Sequence, residues 1–245
     1  MTQEHIVKSF DEQLNRLDNV IAEMGGLAEA QLAEAIEAMV RRDVERAERV
    51  ANADVRIDQL ETEIDQMAVA MLALRQPMAD DLRLVIAALK TSGIIERIGD
   101  YAKNVAKRTL TLSQMPPMQP ALTVARLGRL VQEMIKNVLD AYVARDTEKA
   151  AQVWMRDEEV DALYTSVFRE LLTYMMEDPR NITPCTHLLF VAKNIERIGD
   201  HATNIAEHVH FVVHGSMPDD IRPKSDSSSF TVVEPGRTER ESAGR

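Results

Sequence analysis

The chain has 245 residues, of which 45% are hydrophobic and 4% aromatic, enough apolar surface for one large or two ordinary domains. A formal net charge of −11 argues against a nucleic-acid-binding body, which would need a basic surface. The single cysteine, Cys185, excludes an internal disulfide and a thiolate zinc site, and it is typical of the reducing cytoplasm. No apolar run approaches the ~20 residues of a membrane span. We therefore expect a cytosolic helical protein, unless something recruits it to a membrane.

Apolar residues at helical spacing predict three long helices in the first half of the chain. The first, residues 6–41, contains Gly25-Gly26, which indicates a kink or a close helix crossing. The second ends at Gln76, because Pro77 cannot lie in a helix interior. The third runs over residues 77–112.

The second half repeats this plan after a proline-rich segment, residues 113–120, which we interpret as the domain boundary. Its predicted helices are 123–144, 147–177 and 182–213. The predicted fold is therefore all-α, with two tandem, pseudo-symmetric, antiparallel three-helix bundles built from six long helices. The bundles are residues 1–114 and 115–213, and residues 214–245, rich in Gly, Pro and Ser, are predicted to be a disordered tail.

One hexapeptide, Ile-Glu-Arg-Ile-Gly-Asp, occurs at residues 95–100 and again at 195–200, and such a duplication indicates two copies of one structural unit. Within each copy two acids stand four residues apart. On a helix these like charges are neighbours, which costs roughly 0.2–0.5 kcal/mol. A helix stabilised by surface charges would place a Lys or Arg at the fourth position instead.

The predicted second and fifth helices carry the same spacing, with Asp54 and Asp58 in one and Asp157 and Asp161 in the other. Residues equally far from the turn of a helical hairpin lie at the same level. Asp54 then faces the level of Asp100, and Asp58 that of Glu96, because both pairs centre on Pro77. By the same rule, Asp157 pairs with Asp200 and Asp161 with Glu196.

The sequence therefore predicts four carboxylates at matching heights in each half, lining a seam on the outer surface of each bundle. Oxygen ligands of this kind favour hard or intermediate cations such as Mg, Ca, Mn or Fe, with Zn a further candidate. The alternative interpretation is a solvated acidic surface. His201 and His208 lie near the second site, and we interpret them as surface residues rather than ligands. The predicted metal ligands are Asp54, Asp58, Glu96, Asp100, Asp157, Asp161, Glu196 and Asp200.

The two Glu-Arg-Ile-Gly-Asp segments, each followed by Asn-(Val/Ile)-Ala, resemble the PhoU family of bacterial phosphate-transport accessory proteins. Residues 75–83 and His201-Ala202 add to this resemblance, which covers most of residues 4–213. It implies two three-helix bundles that often form a homodimer, and multinuclear iron or zinc sites on the eight acids in some members; Mn or Mg are alternatives. It also implies a cytoplasmic negative regulator of phosphate uptake and of the phosphate-starvation response. The implied partners are the ATPase subunit of a phosphate ABC transporter and a sensor histidine kinase.

Two other functions are compatible with the same residues. A di-metal carboxylate oxidoreductase would need two Glu-x-x-His repeats, but only Glu207 to His210 has that spacing. A metal-free helical scaffold would use the acids against basic partner surfaces. We expect no enzymatic activity, since Cys185 and His187 do not face each other on a helix and no phosphate-binding glycine loop is present.

Overall fold

A computed structural model describes residues 2–53, 55–75 and 77–218, with the side chains of residues 2–9 and 75 excepted. Within this part of the chain every regular element is helical, as predicted. The α-helices are α1 (Thr2–Arg41), α2 (Val44–Asn52), α3 (Val55–Arg75), α4 (Asp80–Leu112), α5 (Pro120–Ala144), α6 (Thr147–Met155), α7 (Asp157–Glu177) and α8 (Ile182–His214). A 3-10 turn, Pro179–Asn181, joins α7 to α8. None of these helices carries an apolar stretch of the length and hydropathy that a bilayer-spanning segment needs.

The predicted second arm of each bundle is divided into two helices, which is the main difference from the expected six. The interruptions fall at Ala53 and at Arg156, 103 residues apart, so they belong to the repeated plan. The short helix before each interruption begins with an aspartate cap, in which Asp43 accepts from the Arg46 amide and Asp146 from that of Lys149. The predicted tail lies outside the described residues from 219 onward.

The two bundles are joined where α1 crosses α5, and paired glycines make this crossing close. A Cβ atom built on Gly25 would lie 2.4 Å from Cδ2 of Leu139, and one on Gly128 would lie 2.3 Å from Cδ1 of Ile36. Gly25 corresponds to Gly128, and Ile36 to Leu139, at the offset of 103 that relates the two halves. The contact is therefore reciprocal, as a pseudo-two-fold axis requires. Gly25-Gly26 produces the predicted helix crossing while α1 continues through it.

A second antiparallel pair, α4 with α8, completes the junction between the bundles. The ring of Tyr101 stacks on that of His201 with 5.6 Å between centroids, and Oγ1 of Thr91 lies 3.1 Å from Nδ1 of His208. His208 is only 7% exposed, so the expectation of a surface histidine is wrong at this position. Its imidazole belongs to the packing between the two bundles.

An ion pair adds to the junction at the end of α5. Arg145 has a left-handed backbone (φ 55°), and its guanidinium donates to both carboxylate oxygens of Asp18 at 2.9 and 2.7 Å. Both contacts come from one nitrogen, Nη2, so the pair is a charge-assisted contact shared between the two carboxylate oxygens. It ties α1 of the first bundle to the last turn of α5 in the second.

We predict that Gly25→Leu lowers the free energy of unfolding by about 1–3 kcal/mol, because the added side chain has to displace Leu139 in a filled crossing. Gly26 is the matched control, since nothing lies within 4 Å of a Cβ built there. Gly26→Leu should leave stability unchanged or raise it, because it removes a helical glycine. Urea unfolding followed by circular dichroism measures both. Equal stability of the two variants would contradict this account of the crossing.

Because His208 is buried, we predict that the stability of the protein depends on pH. Burial, with a smaller contribution from Lys90, lowers the pKa of His208 to about 4 from 6.5. The folded protein therefore binds fewer protons at this site than the unfolded chain, and stability should fall as the pH drops from 6.5 toward 4. The loss is on the order of 2–3 kcal/mol. The difference between wild type and His208→Gln should shrink across that range, and a pH-independent difference would contradict the assignment.

Candidate carboxylate site

The two hairpins, α3–α4 and α7–α8, have the register that the equal-distance rule predicts. In the first bundle a Cβ on Gly93 would lie 3.5 Å from Oε1 of Glu61, and these two residues are equally far from Pro77. In the second, Nζ of Lys193 lies 4.9 Å from the ring centroid of Tyr164, and both are equally far from the bend between residues 178 and 179. The backbone therefore sets the acids of paired helices at matching levels.

The acids of the two repeats differ in burial. The prediction that they line the outer surface of the bundle is wrong for the second repeat. Asp157, Asp161 and Glu196 are 1%, 4% and 6% exposed. In the first repeat Asp58 is exposed and Glu96 is half-buried. Asp100 and Asp200 are also half-buried, and Asp54 lies outside the described residues.

The close approach of α7 and α8 explains why the second set is enclosed. A Cβ on Gly199 would lie 3.3 Å from Cγ1 of Val160 and 3.5 Å from Cγ2 of Val131 in α5. Three helices therefore converge on one glycine that lies between the acid positions of α8. Val160 precedes Asp161 by one residue, so this contact holds α7 against α8 at the level of the acid positions. Helical periodicity alone did not reveal this third helix.

Lysines of the same helices lie beside two of the acids. Nζ of Lys193 donates to Oε1 of Glu196 at 2.8 Å, and Nζ of Lys103 lies 3.8 Å from Oδ1 of Asp100. The lysine precedes the acid by three residues in α8 and follows it by three in α4, so the two repeats place positive charge differently. Part of the acidic charge is thus balanced within the protein.

The chemistry of the enclosed donors fits a cation. Charged carboxylates are almost never fully buried unless they are paired or coordinate a metal, and three of them here come from two adjacent helices. Carboxylate oxygens are the ligands that hard cations prefer. In the part of the chain that the structure describes, no group of three or more His, Cys, Asp or Glu side chains is arranged so that it could hold a metal ion. The eight-residue metal site therefore stays a prediction.

The structure also shows a basic groove that the sequence analysis missed. It lies between α4 and α8, outside the acidic motifs, and has a volume of about 460 Å³. A sequence signal existed, because its α4 residues recur at the i, i+3, i+4, i+7 spacing of one helix face. The lining residues are Asn104, Lys107, Arg108, Thr111, His187, Phe190, Asn194 and Arg197.

The fold and the acidic motifs together define a duplicated helical-bundle protein, with one carboxylate-bearing hairpin in each repeat. Comparison with known proteins then assigns the family. The family model described as the PhoU domain matches residues 21–109 and again residues 124–209. The chain belongs to the PhoU family.

Individual relatives agree with this assignment. A protein of Caulobacter vibrioides named as a phosphate-specific transport system accessory protein PhoU homolog is 55% identical over 225 residues, covering 91% of this chain and 97% of the relative. The crystal structure of PhoU from Pseudomonas aeruginosa matches with a TM-score of 0.82 at 40% identity, covering 84% of this chain and 100% of that one. The phosphate transport system regulatory protein PhoU from Streptococcus pneumoniae matches with a TM-score of 0.79 at 28% identity, over 86% and 99% of the two chains.

We predict that Mn²⁺ added to chelator-stripped protein raises its unfolding midpoint. At a metal concentration one hundred times the Kd, the free energy of unfolding should increase by about 2.7 kcal/mol. Asp161→Asn should remove most of this rise, because it deletes a buried carboxylate. Asp140→Asn is the control, since Asp140 pairs with Lys149 at 2.7 Å outside the motif, and it should keep the rise. The readout is the metal-induced change, which is independent of each variant's own stability. An undiminished rise in Asp161→Asn would contradict the ligand assignment.

Proposed function

We propose that the protein is a negative regulator of phosphate uptake and of the phosphate-starvation response. In this role it couples a phosphate ABC transporter, through the ATPase subunit, to a sensor histidine kinase. The observation that carries the proposal is the PhoU domain match in both repeats. Relatives named as accessory proteins of phosphate-specific transport are covered over nearly their whole length, so the comparison concerns entire proteins.

The surface supports a role in binding other proteins. The C-terminal part of α3 and the bend after it expose large apolar side chains: Leu74 and Met78 are each 79% exposed, and Val69 is 61% exposed. Grouped apolar side chains at the surface mark protein contacts more often than isolated ones do. We propose that the protein acts in the cytoplasm as a non-enzymatic adaptor, and as a homodimer.

The acidic motifs would hold the metal of this regulator. Asp157, Asp161, Glu196 and Asp200 would serve in the second bundle, and Asp54, Asp58, Glu96 and Asp100 in the first. A bound multivalent cation such as iron, zinc, manganese or magnesium supplies positive charge that offsets the repulsion among the carboxylates. The residues themselves join the two arms of each hairpin at one level. In this way the motifs would stiffen the surface that the bundles present to partners.

A second candidate, a metal-free adaptor, is favoured by the lysine contacts. Lys193 donates to Glu196 at 2.8 Å, so the chain supplies a cation of its own at the most enclosed acid of α8. In this case the remaining acids would meet basic surfaces on the partners. The two candidates share the regulatory role and differ only in what balances the carboxylate charge.

A deletion strain tests the regulatory role. We predict that it expresses phosphate-starvation genes constitutively in phosphate-rich medium, because the inhibitory link to the kinase is lost, and that the wild-type gene restores repression. Reporter expression measures both. Normal repression in the deletion strain would contradict the proposal.

The same strain separates the two candidates. Complementation with an Asp157→Asn, Asp161→Asn, Glu196→Gln variant should fail if the site needs metal. Full repression by this variant, at wild-type protein levels, would favour the metal-free adaptor.

A further inference from the structure

The basic groove between α4 and α8 is made by two facing helix stripes. Four residues of α4 and four of α8 line it, and those of α4 recur at the spacing of a single helix face. Because the two helices are antiparallel, Thr111 lies opposite His187 and Asn104 opposite Asn194. One turn away the same register places Arg197 opposite Tyr101, with 5.8 Å between the guanidinium carbon and the ring centroid. The groove is thus part of the junction between the bundles.

The charge of the groove is opposite to that of the protein. The lining contains Lys107, Arg108, Arg197 and His187 and no carboxylate, whereas the chain as a whole carries a net charge of −11. Among the residues that the structure describes, no carboxylate forms an ion pair with Lys107, Arg108 or Arg197. Three permanent positive charges therefore converge on one polar groove and are left for an external anion to balance.

Arg108 is held in place before any anion arrives. Its guanidinium carbon lies 4.1 Å from the ring centroid of Phe190, and its Nη1 lies 3.4 Å from Nδ1 of His187. Burial lowers the pKa of His187, and the charge of Arg108 lowers it further. An arginine fixed on an aromatic ring loses less conformational freedom when it binds an oxyanion.

The basic residues of the groove are not repeated in the other half of the chain. At the offset of 100 that aligns the two hexapeptides, Lys107 corresponds to Glu207 and Arg108 to His208. His208 is buried and bonded to Thr91, and the residue corresponding to His187 is Ala87. One side of the junction alone therefore carries the basic set.

We propose that this groove binds a small phosphoryl anion, either free phosphate or pyrophosphate or the phosphate group of a nucleotide. Guanidinium and ammonium groups, with the amide of Asn104 and the hydroxyl of Thr111 as further donors, are the set that recognises phosphate oxygens. A volume of about 460 Å³ lies in the range of small-molecule sites and exceeds what one phosphate fills. Phe190, 49% exposed, offers aromatic surface that a nucleotide base would use and free phosphate would not.

Isothermal titration of the full chain, passed over a chelating resin so that bound metal does not contribute, tests the proposal. Inorganic phosphate, pyrophosphate and adenosine monophosphate are the three probes. We expect saturable binding of at least one at a single site, weakening as salt is added. Tighter binding of adenosine monophosphate than of phosphate assigns the groove to nucleotides, and the reverse order assigns it to free phosphate.

Two substitutions test whether the anion binds in the groove. Lys107→Gln and Arg197→Gln change exposed side chains, so they should keep the fold, as circular dichroism verifies, and weaken binding at least tenfold. Arg97→Gln is the matched control, because Arg97 is the counterpart of Arg197 in the other repeat, and it should bind as wild type does. The proposal is overturned if none of the three probes binds, or if both groove variants bind as tightly as wild type does. The test uses purified protein and does not rest on the proposed regulatory function.

Discussion

The arrangement of the helices depends on close contacts at three glycines. Gly25 and Gly128 let α1 and α5 approach until each glycine receives an aliphatic side chain of the other helix, and Gly199 does the same for α7 and α8 against α5. Packing of this kind is intolerant of added volume. It fixes the position of α8, and α8 contributes both to the acidic site and to the basic groove.

The duplicated halves have diverged around this shared frame. The acids of the second repeat are enclosed, with Asp157 and Asp161 both buried, whereas Asp58 in the first is exposed. Burial in a medium of low dielectric constant strengthens electrostatic interactions and makes unbalanced charge costly. A cation would therefore stabilise the second site more than the first, although the motifs have the same residues. The basic residues of the groove have likewise diverged, because Lys107 and Arg108 of the first repeat correspond to Glu207 and His208 of the second.

The elements that depend on local sequence were predictable, and those that depend on distant packing were not. Asp43 as a cap, Pro77 as a bend and the level pairing of the hairpins follow from rules for a single helix or a single turn. The close packing at Gly199 depends on Val131 and Val160, and these residues come from three different helices. The burial of His208 depends on Thr91 in the other bundle. Lys107 and Arg197 line one groove only because α4 and α8, one from each half of the chain, pack side by side.

We propose that each half, by folding back on itself, gathers carboxylates that bind a cation in a phosphate-signalling adaptor. Elemental analysis of the purified protein, expressed in metal-replete medium, tests it most directly. We predict that the wild-type protein contains iron, zinc, manganese or magnesium in stoichiometric amounts. The variant in which the carboxylates of Asp157, Asp161 and Glu196 are replaced by amides should contain none of this metal. Protein that folds, regulates and contains no such metal would contradict it.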